Sequence, residues 1–411
     1  MELRDYQKNI AKTGIDVLKQ HKFLYLAMEV RTGKTLTSLS ISNSLAVSSV
    51  LFITKKKAIS SIQDDYNLLN PDFDITIINY ESLHKIAYSP YDVIICDEAH
   101  GMGAFPKPSK RAKDVKSLIQ INDNPYIILL SGTPTPESYS QMYHQVYSIN
   151  NNPFKRYKSF YKFAHEYVNV TQKKIGSMTI NDYSGGYNSI IDEMKPFTIS
   201  YTQKEAGFEV QTDEEILYVD MCTKVLGIIS ELKKNLVVQG KEEVILADTA
   251  VKLMSKTHQM FSGTVKFESG KSMVLCTDKA EFIKSRFENK KIGIFYKFKE
   301  ELNAIKQVFQ DSICFDLEEF NTTSKSIALQ IVSGREGISL RKAEALVYYN
   351  IDFSATSYWQ SRDRMTTKDR KYNKIYWIFA IGGIEKEIYK SVIKKKDYTL
   401  RHFKRDLLNL N

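Results

Sequence analysis

Lys22–Thr35 reads KFLYLAMEVRTGKT, an apolar run followed by a short loop that closes on Gly-Lys-Thr. The run Lys22–Ala27 has the length and β-branched or aromatic content of a buried strand. The stretch after it, Thr35–Leu45, has the spacing of an amphipathic helix. A strand that turns through Gly33 into a helix presents backbone amides and the positive end of the helix dipole to an anion. In that setting Gly33 lets the backbone approach phosphate, Lys34 pairs with the β- and γ-phosphates, and Thr35 offers a hydroxyl to Mg2+.

Outward from this stretch the same alternation continues. Val50–Thr54 (VLFIT), Ile75–Asn79 (ITIIN), Asp92–Cys96 (DVIIC) and Tyr126–Leu130 (YIILL) read as buried strands, and Ala58–Leu69 as a helix between two of them. Continuous apolar strands separated by helices predict an α/β fold with a parallel sheet covered on both faces. In such sheets ligands gather at the carboxyl ends of the strands. The run DVIIC continues into Asp97-Glu98-Ala99-His100. Asp97 at a strand end suits Mg2+, and Glu98 suits orienting and deprotonating an attacking water. Ser131-Gly132-Thr133-Pro134 follows YIILL at the same edge, where hydroxyls can sense a terminal phosphate; by itself it is also an ordinary turn.

The stretch from about 150 to 195 is rich in Tyr, Asn, Lys and Gly and lacks clean periodicity, so it reads as an irregular insertion leading to a connection. A second alternating series follows. Helical patterns at Thr223–Leu236 and Glu242–Phe261 precede strands at Lys291–Tyr296, Ala328–Ser333, Ala345–Tyr349 and Tyr376–Ala380. Two α/β units, 1–205 and 206–411, are the expected domains. In the second, Ser333–Leu340 (SGREGISL) carries Gly334 and Gly337, and Tyr358–Arg364 (YWQSRDR) spaces Gln360 and Arg364 one helical turn apart. An arginine delivered to a transferring phosphoryl stabilises its developing charge; the alternative is a solvated Arg/Asp helix face.

The 411 residues include 58 Lys+Arg and 48 Asp+Glu, a net charge of +10. Such a surplus fits a polyanion-binding surface without requiring one. Residues 386–406 hold eight of the basic side chains against three acidic ones, and Lys107, Lys110, Arg111, Lys113 and Lys116 form a second cluster. Either cluster is a solvated helix face or a phosphate-binding surface. The four cysteines, Cys96, Cys222, Cys276 and Cys314, contain no CxxC pair, which excludes a zinc-ribbon spacing and gives no sign of a disulfide framework. No apolar run approaches the ~18 residues of a membrane span, and the charged start MELRDYQKN does not resemble a signal peptide. The expected location is the cytoplasm, with no membrane partner.

With these residues in place, the sequence resembles superfamily 2 helicases, most closely the Swi/Snf-type translocases and their compact bacteriophage versions. Leu3–Gln7 (LRDYQ) is similar to the family's opening motif. MEVRTGKT resembles motif I, or Walker A, with Met28 and Arg31 where glycines are usual. VLFIT with Lys55–Lys57 resembles motif Ia, Ile78–Leu83 (INYESL) motif Ib, and DEAH motif II. Ser131–Ser138 (SGTPTPES) resembles motif III, Phe295–Lys297 motif IV and SGREGISL motif V. Asp352 with YWQSRDRM resembles motif VI, with Thr367 where a second arginine is usual and Lys368 or Arg370 as nearby substitutes. The resemblance implies two tandem RecA-like domains with ATP and Mg2+ as cofactors. Tyr6, Gln7, Arg31, Thr32, Gly33, Lys34, Thr35, Gly337, Gln360 and Arg364 would bind nucleotide, Gln7 at the adenine, with Thr35 and Asp97 on the metal. Lys34, Asp97, Glu98 and Arg364 would be catalytic, and His100, Ser131 and Thr133 would couple the cleft to movement. Thr54, Lys55, Lys107, Lys110 and Arg111 would contact DNA, mainly at phosphates. The implied activity is ATP-driven movement on DNA in replication, recombination or repair. An RNA helicase and a non-hydrolysing ATP-switched scaffold remain as alternatives.

Overall fold

The computed structural model describes residues 3–86, 90–175, 178–240, 242–334, 338–367 and 370–393. They form two compact units, one ending at Gly207 and one running from Phe208 to Ile393.

The first unit is built on strands β1 (Phe23–Met28), β2 (Ser49–Thr54), β3 (Asp74–Asn79), β4 (Val93–Cys96) and β5 (Tyr126–Leu130). Helices α1 (Asp5–His21), α2 (Lys34–Ser44), α3 (Ile59–Leu69) and α4 (Lys110–Ile121) connect or cover them. After α5 (Met142–Val146) and α6 (Phe160–Tyr167) come the hairpin β6 (Val168–Ile175) and β7 (Met178–Gly186), α7 (Ser189–Met194) and the edge strand β8 (Thr198–Tyr201). The sheet order is β3-β2-β4-β5-β1-β8, and every pair in it is parallel. Successive side chains of a strand point to opposite faces, and here both faces are dry. Phe23, Tyr25 and Ala27 of β1 enter one apolar cluster, while Leu24, Leu26 and Met28 enter the other. Leu51/Ile53 against Val50/Phe52, and Ile94/Cys96 against Val93/Ile95, divide in the same way. Each large side chain so buried stabilises the unit by ~1.5–3 kcal/mol, so a charge anywhere along β1 or β4 breaks one core or the other.

The stretch 150–195, expected as an irregular insertion, forms regular elements over its described residues. Phe154, Phe160, Phe163 and Tyr167 are buried against Tyr143 of α5, with Phe163 ring centroids 4.8 Å from Tyr143 and 5.0 Å from Phe154. Aromatic edge-to-face packing holds this subdomain rather than a periodic apolar stripe, so it leaves no helical or strand period to read.

The second unit repeats the plan with β9 (Gln211–Val219), β10 (Val237–Gln239), β11 (Val244–Leu246), β12 (Thr264–Lys266), β13 (Ser272–Val274), β14 (Ile292–Tyr296), β15 (Ile313–Cys314), β16 (Ser326–Gln330), β17 (Ala345–Tyr348) and β18 (Tyr372–Ala380). Its helices are α8 (Thr223–Asn235), α9 (Ala250–Met260), α10 (Asp278–Arg286), α11 (Lys299–Phe309), α12 (Leu317–Thr322), α13 (Ile331–Gly334) and α14 (Ala355–Arg362). The sheet order β15-β16-β14-β17-β18-β9 is again wholly parallel. Three expectations shift. Glu242–Phe261 is not one helix but β11 followed by α9; Ala328–Ser333 is a strand only to Gln330, where α13 begins; and β9 lies in a stretch expected to connect. Both units are α/β with parallel sheets flanked by helices, the tandem RecA-like arrangement. Among the described residues no helix is long and apolar enough to cross a membrane.

Candidate nucleotide site

In the first unit the loops after β1, β2, β4 and β5 leave the same, carboxyl edge of the sheet. The loop after β1 is tied down from two sides. The Glu29 amide donates to Tyr201 O at 2.9 Å, Gln203 N donates to Glu29 Oε2 at 2.7 Å, and Gln203 Nε2 donates to Val30 O at 3.0 Å. From α1, Tyr6 Oη donates to Thr32 O at 3.0 Å and Gln7 Nε2 donates to Gly33 O at 3.3 Å. Arg31 and Gly33 both take positive φ, 64° and 80°. Glycine tolerates that conformation; for Arg31, standing where the family usually has glycine, it is strained by about 1–3 kcal/mol. A Cβ at Gly33 would overlap Gln7 Nε2, so this glycine is required by close packing as well as by φ. Lys34 opens α2, with Nζ 3.4 Å from Glu29 O. Thr35 is the second residue of the same helix.

The loop after β4 carries the carboxylates. Asp97 N donates to Ile53 O at 2.8 Å, Thr54 Oγ1 donates to Asp97 Oδ2 at 2.8 Å, and Tyr80 Oη donates to Asp97 O at 2.6 Å. Burial, then the neighbouring charge of Glu98, pushes the Asp97 carboxyl up to about 6, while Lys34 and the Thr54 hydroxyl oppose the rise. A half-buried pair of adjacent carboxylates, with one lysine to offset them, is a hard-oxygen donor set that a divalent cation would relieve. The carboxylate pair therefore fits a divalent cation such as Mg2+, which Asp97 would hold. Glu98 sits at φ 50°, a strained conformation for a non-glycine residue at the end of a strand. Its Oε2 lies 3.2 Å from His100 Nδ1, and that nitrogen lies 3.0 Å from Ser131 Oγ. Ser131 Oγ also accepts from Thr133 N at 3.1 Å. The Thr133 hydroxyl is buried without a hydrogen-bond partner in the structure, which suits a group waiting for a ligand oxygen.

Lys34, Asp97, Glu98, His100, Ser131 and Thr133 are thus placed along one sheet edge, as the spacing implied. Other expected contacts are placed differently. Thr54, offered as a nucleic-acid contact, is fully buried, with its hydroxyl on Asp97; it positions a carboxylate and cannot present itself to a phosphate. Arg111 is engaged by Glu81 at 2.6 and 3.0 Å and lies over the Tyr80 ring, so it braces the residue that holds Asp97 O. Lys107 and Lys110 are exposed and Lys55 is half-buried. Gln7 is buried, with Oε1 accepting from Arg4 N at the start of α1 and Nε2 donating to Gly33 O; its amide ties that helix start to the loop. Sequence reading missed Glu29, Tyr201 and Gln203, which anchor the loop, and Gln145, which accepts from Tyr25 Oη at 2.7 Å and donates to Pro134 O at 2.8 Å. Their signal is tertiary: no local spacing joins residues so far apart in the chain.

In the second unit α14 ends at Arg362, and Arg364 lies in the 3-10 turn that follows. Gln360 and Arg364 therefore do not share one helix face. Arg364 Nη1 donates to Ile338 O at 3.3 Å and Arg364 O accepts from Leu340 N at 2.8 Å, which joins the motif VI turn to the motif V loop. Gln360 is buried. Gly337 and Lys368 lie outside the described residues, as do residues 394–411 of the basic tail. Arg370, a candidate for the second arginine, donates to the carbonyls of Tyr372, Arg341 and Glu344 at 3.0–3.2 Å; it is a structural clamp. Asp352 is bridged to Lys297 at 2.9 Å and accepts from Ser357 Oγ at 3.1 Å. Arg362 is paired with Glu214 at 2.5 Å, and Glu214 also accepts from Tyr358, Trp377 and Tyr389.

Residues 1–136 match the family described as "Type III restriction enzyme, res subunit". Over 357 residues, 78% of this chain, the sequence is 22% identical to a SWI/SNF-related matrix-associated actin-dependent regulator of chromatin subfamily A-like protein 1 of Xenopus tropicalis, covering 35% of that protein. The chain is similar in sequence to this SWI/SNF-related protein. The corresponding protein of Xenopus laevis is 23% identical over 78% of this chain and 34% of its own length, so the chain spans about a third of the curated relatives it matches. Among solved structures, the Sulfolobus solfataricus SWI2/SNF2 ATPase core in complex with dsDNA is similar at 17% identity and TM-score 0.44, covering 97% of this chain and 92% of that one. The ATP-dependent Type ISP restriction-modification enzyme LlaBIII bound to DNA is similar at 13% identity and TM-score 0.51, covering 92% and 28%; that likeness concerns the fold.

Proposed function

We propose that this chain is a Swi/Snf-type, nucleic-acid-stimulated ATPase that moves along DNA. The observation that carries the reading is the convergence at one sheet edge of a helix-opening lysine, Lys34, an Asp97 carboxyl steadied by Thr54, and the linked set Glu98–His100–Ser131. When bound, Mg·ATP supplies the phosphoryl group and a divalent charge that offsets the triphosphate. Lys34 and the first amides of α2 would hold the phosphates, and Thr35 and Asp97 would hold the metal. Glu98 orients the attacking water and takes its proton on a carboxylate oxygen. His100 fixes the Glu98 side chain and, through Ser131, links it to the turn that carries Thr133. On the motif VI resemblance, Arg364 would be the residue that supplies positive charge to a transferring phosphoryl.

DNA is the favoured partner because the Type ISP restriction-modification neighbour is described as bound to it and because the chain carries a net charge of +10. Exposed Lys107 and Lys110 would bind its phosphates in a salt-sensitive way. The test is the ATPase rate of the intact chain with single-stranded DNA, duplex DNA, forked DNA and RNA. DNA-stimulated turnover lost in Lys34→Ala and Glu98→Gln is expected. Stimulation by RNA alone would make the chain an RNA helicase. ATP-sensitive DNA binding without turnover would make it a switched scaffold.

A further inference from the structure

Outside these motifs in the sequence, three ligating side chains of the second unit meet. Cys222 caps the N-terminus of α8, Cys276 follows β13, and Asp278 opens α10. One ligand atom from each, two sulfurs and a carboxylate oxygen, lie within 4.8 Å of one another. A tetrahedral zinc site has edges of about 3–4 Å between ligand atoms, so shifts of no more than about 1 Å would close this set around an ion.

The backbone holds the three in place. The Leu275 and Cys276 amides both donate to Gly263 O, at 2.7 and 3.2 Å, and Gly263 has φ 81°. A Cβ there would overlap Cys276 O, so only glycine lets the Cys276 segment lie this close. Cys222 N donates to Asp278 Oδ2 at 2.8 Å. That bond orients the carboxylate, as outer hydrogen bonds do at metal sites.

We infer that Cys222, Cys276 and Asp278 form a site for one thiophilic divalent cation of the Zn2+ class, with solvent as the fourth ligand. On binding, both sulfurs coordinate as thiolates and their protons pass to solvent. The bound ion fastens the start of α8 and the β12–β13 hairpin to α10, joining two apolar clusters. One contains Met221, Val225 and Ile245; the other contains Ala280 and Ile283.

The full-length, reduced, chelator-treated chain is titrated with Cd2+, and thiolate-to-Cd2+ charge-transfer absorption is read. Saturation at one equivalent, reversal by Zn2+ and loss of the band in both Cys222→Ser and Cys276→Ser are expected. Cys314→Ser should leave the band unchanged, and Asp278→Asn should weaken binding about tenfold. A readout free of variants is alkylation by iodoacetamide, which Zn2+ should slow at Cys222 and Cys276 in the wild-type chain. No band at one equivalent overturns the site, as does a band that survives both serine variants. Equal alkylation with and without Zn2+, or a Cys222–Cys276 disulfide that Zn2+ does not prevent, overturns it too.

Discussion

Thr54, the last residue of β2, donates its hydroxyl to Asp97 Oδ2 at 2.8 Å, across to the end of β4. The bond fixes the rotamer of a carboxyl that stands beside Glu98 and is raised by burial. Thr54→Val keeps the shape and removes the donor. Partners of this kind set activity by about 10–100-fold. Thr54→Val is therefore expected to lower kcat about tenfold or more while leaving the DNA dissociation constant unchanged. Fluorescence anisotropy beside a steady-state ATPase assay separates the two, and weakened DNA binding at normal kcat would return Thr54 to the DNA surface.

The Asp97 shift has a stability consequence. Its folded carboxyl is raised from the ordinary 3.8 to about 6. The stability that goes with the protonated form is fully present below 3.8 and is lost as pH rises through 6. At pH 7.5 the ligand-free chain carries that loss, so Asp97→Asn should stabilise it by about 1–2 kcal/mol. The gain should disappear toward pH 4, and Mg·ATP should raise the melting temperature of the wild type but not of the variant. Thermal denaturation across pH, with and without Mg·ATP, checks this; a variant less stable than wild type at pH 7.5 counts against it.

What could be read in advance follows burial. Strands β1, β4 and β5 are apolar on both faces and stand out as unbroken runs. Strand β9 (QTDEEILYV) pairs with β18 over nine residues, yet it is an edge strand whose polar residues are largely outside the core, so composition reads as a connector. Lys34, Asp97 and Glu98 were legible because local chemistry fixes their spacing. The hydroxyl of Thr54, the Glu29–Gln203 anchor and the five-membered cluster on Glu214 join residues distant in sequence, and only the fold brings them together. Likewise, no local pattern tells Arg362, buried against Glu214, from Arg364 two residues later.

Lys279 and Glu385 form an ion pair at 2.8 Å with both side chains fully buried. Lys279 Nζ also donates to Tyr349 O at 3.3 Å, and Glu385 Oε1 accepts from Ala380 N at 3.3 Å. Removing one partner leaves a buried charge alone, which costs about 3–5 kcal/mol. Lys279→Met should destabilise the second unit by that amount, and Lys279→Met with Glu385→Leu should recover most of it. Both tryptophans, Trp359 and Trp377, belong to this unit, so urea unfolding followed by tryptophan fluorescence reads it directly. A double variant no better than the single one would show that the pair is needed as an ion pair.

His258 gives the same unit an acid limit. Its Nε2 lies 2.6 Å from Asn350 Oδ1, and that oxygen also accepts from Ile351 N at 2.8 Å, while Asn350 Nδ2 donates to buried Glu301 at 2.6 Å. The proton is thereby assigned to Nε2, and Nδ1 is buried with no hydrogen-bond partner in the structure. Burial, then the positive charge of Lys297, pushes the imidazole from 6.5 down to about 3. The unfolded chain takes the proton first, so stability is full above 6.5 and falls as pH drops toward 3, by at most about 1.4 kcal/mol per pH unit. His258→Gln keeps a donor near Asn350 but cannot titrate. The urea midpoint read by tryptophan fluorescence should fall between pH 7.5 and 5 more steeply in wild type than in His258→Gln. Parallel slopes would mean that His258 is free to protonate in the folded unit.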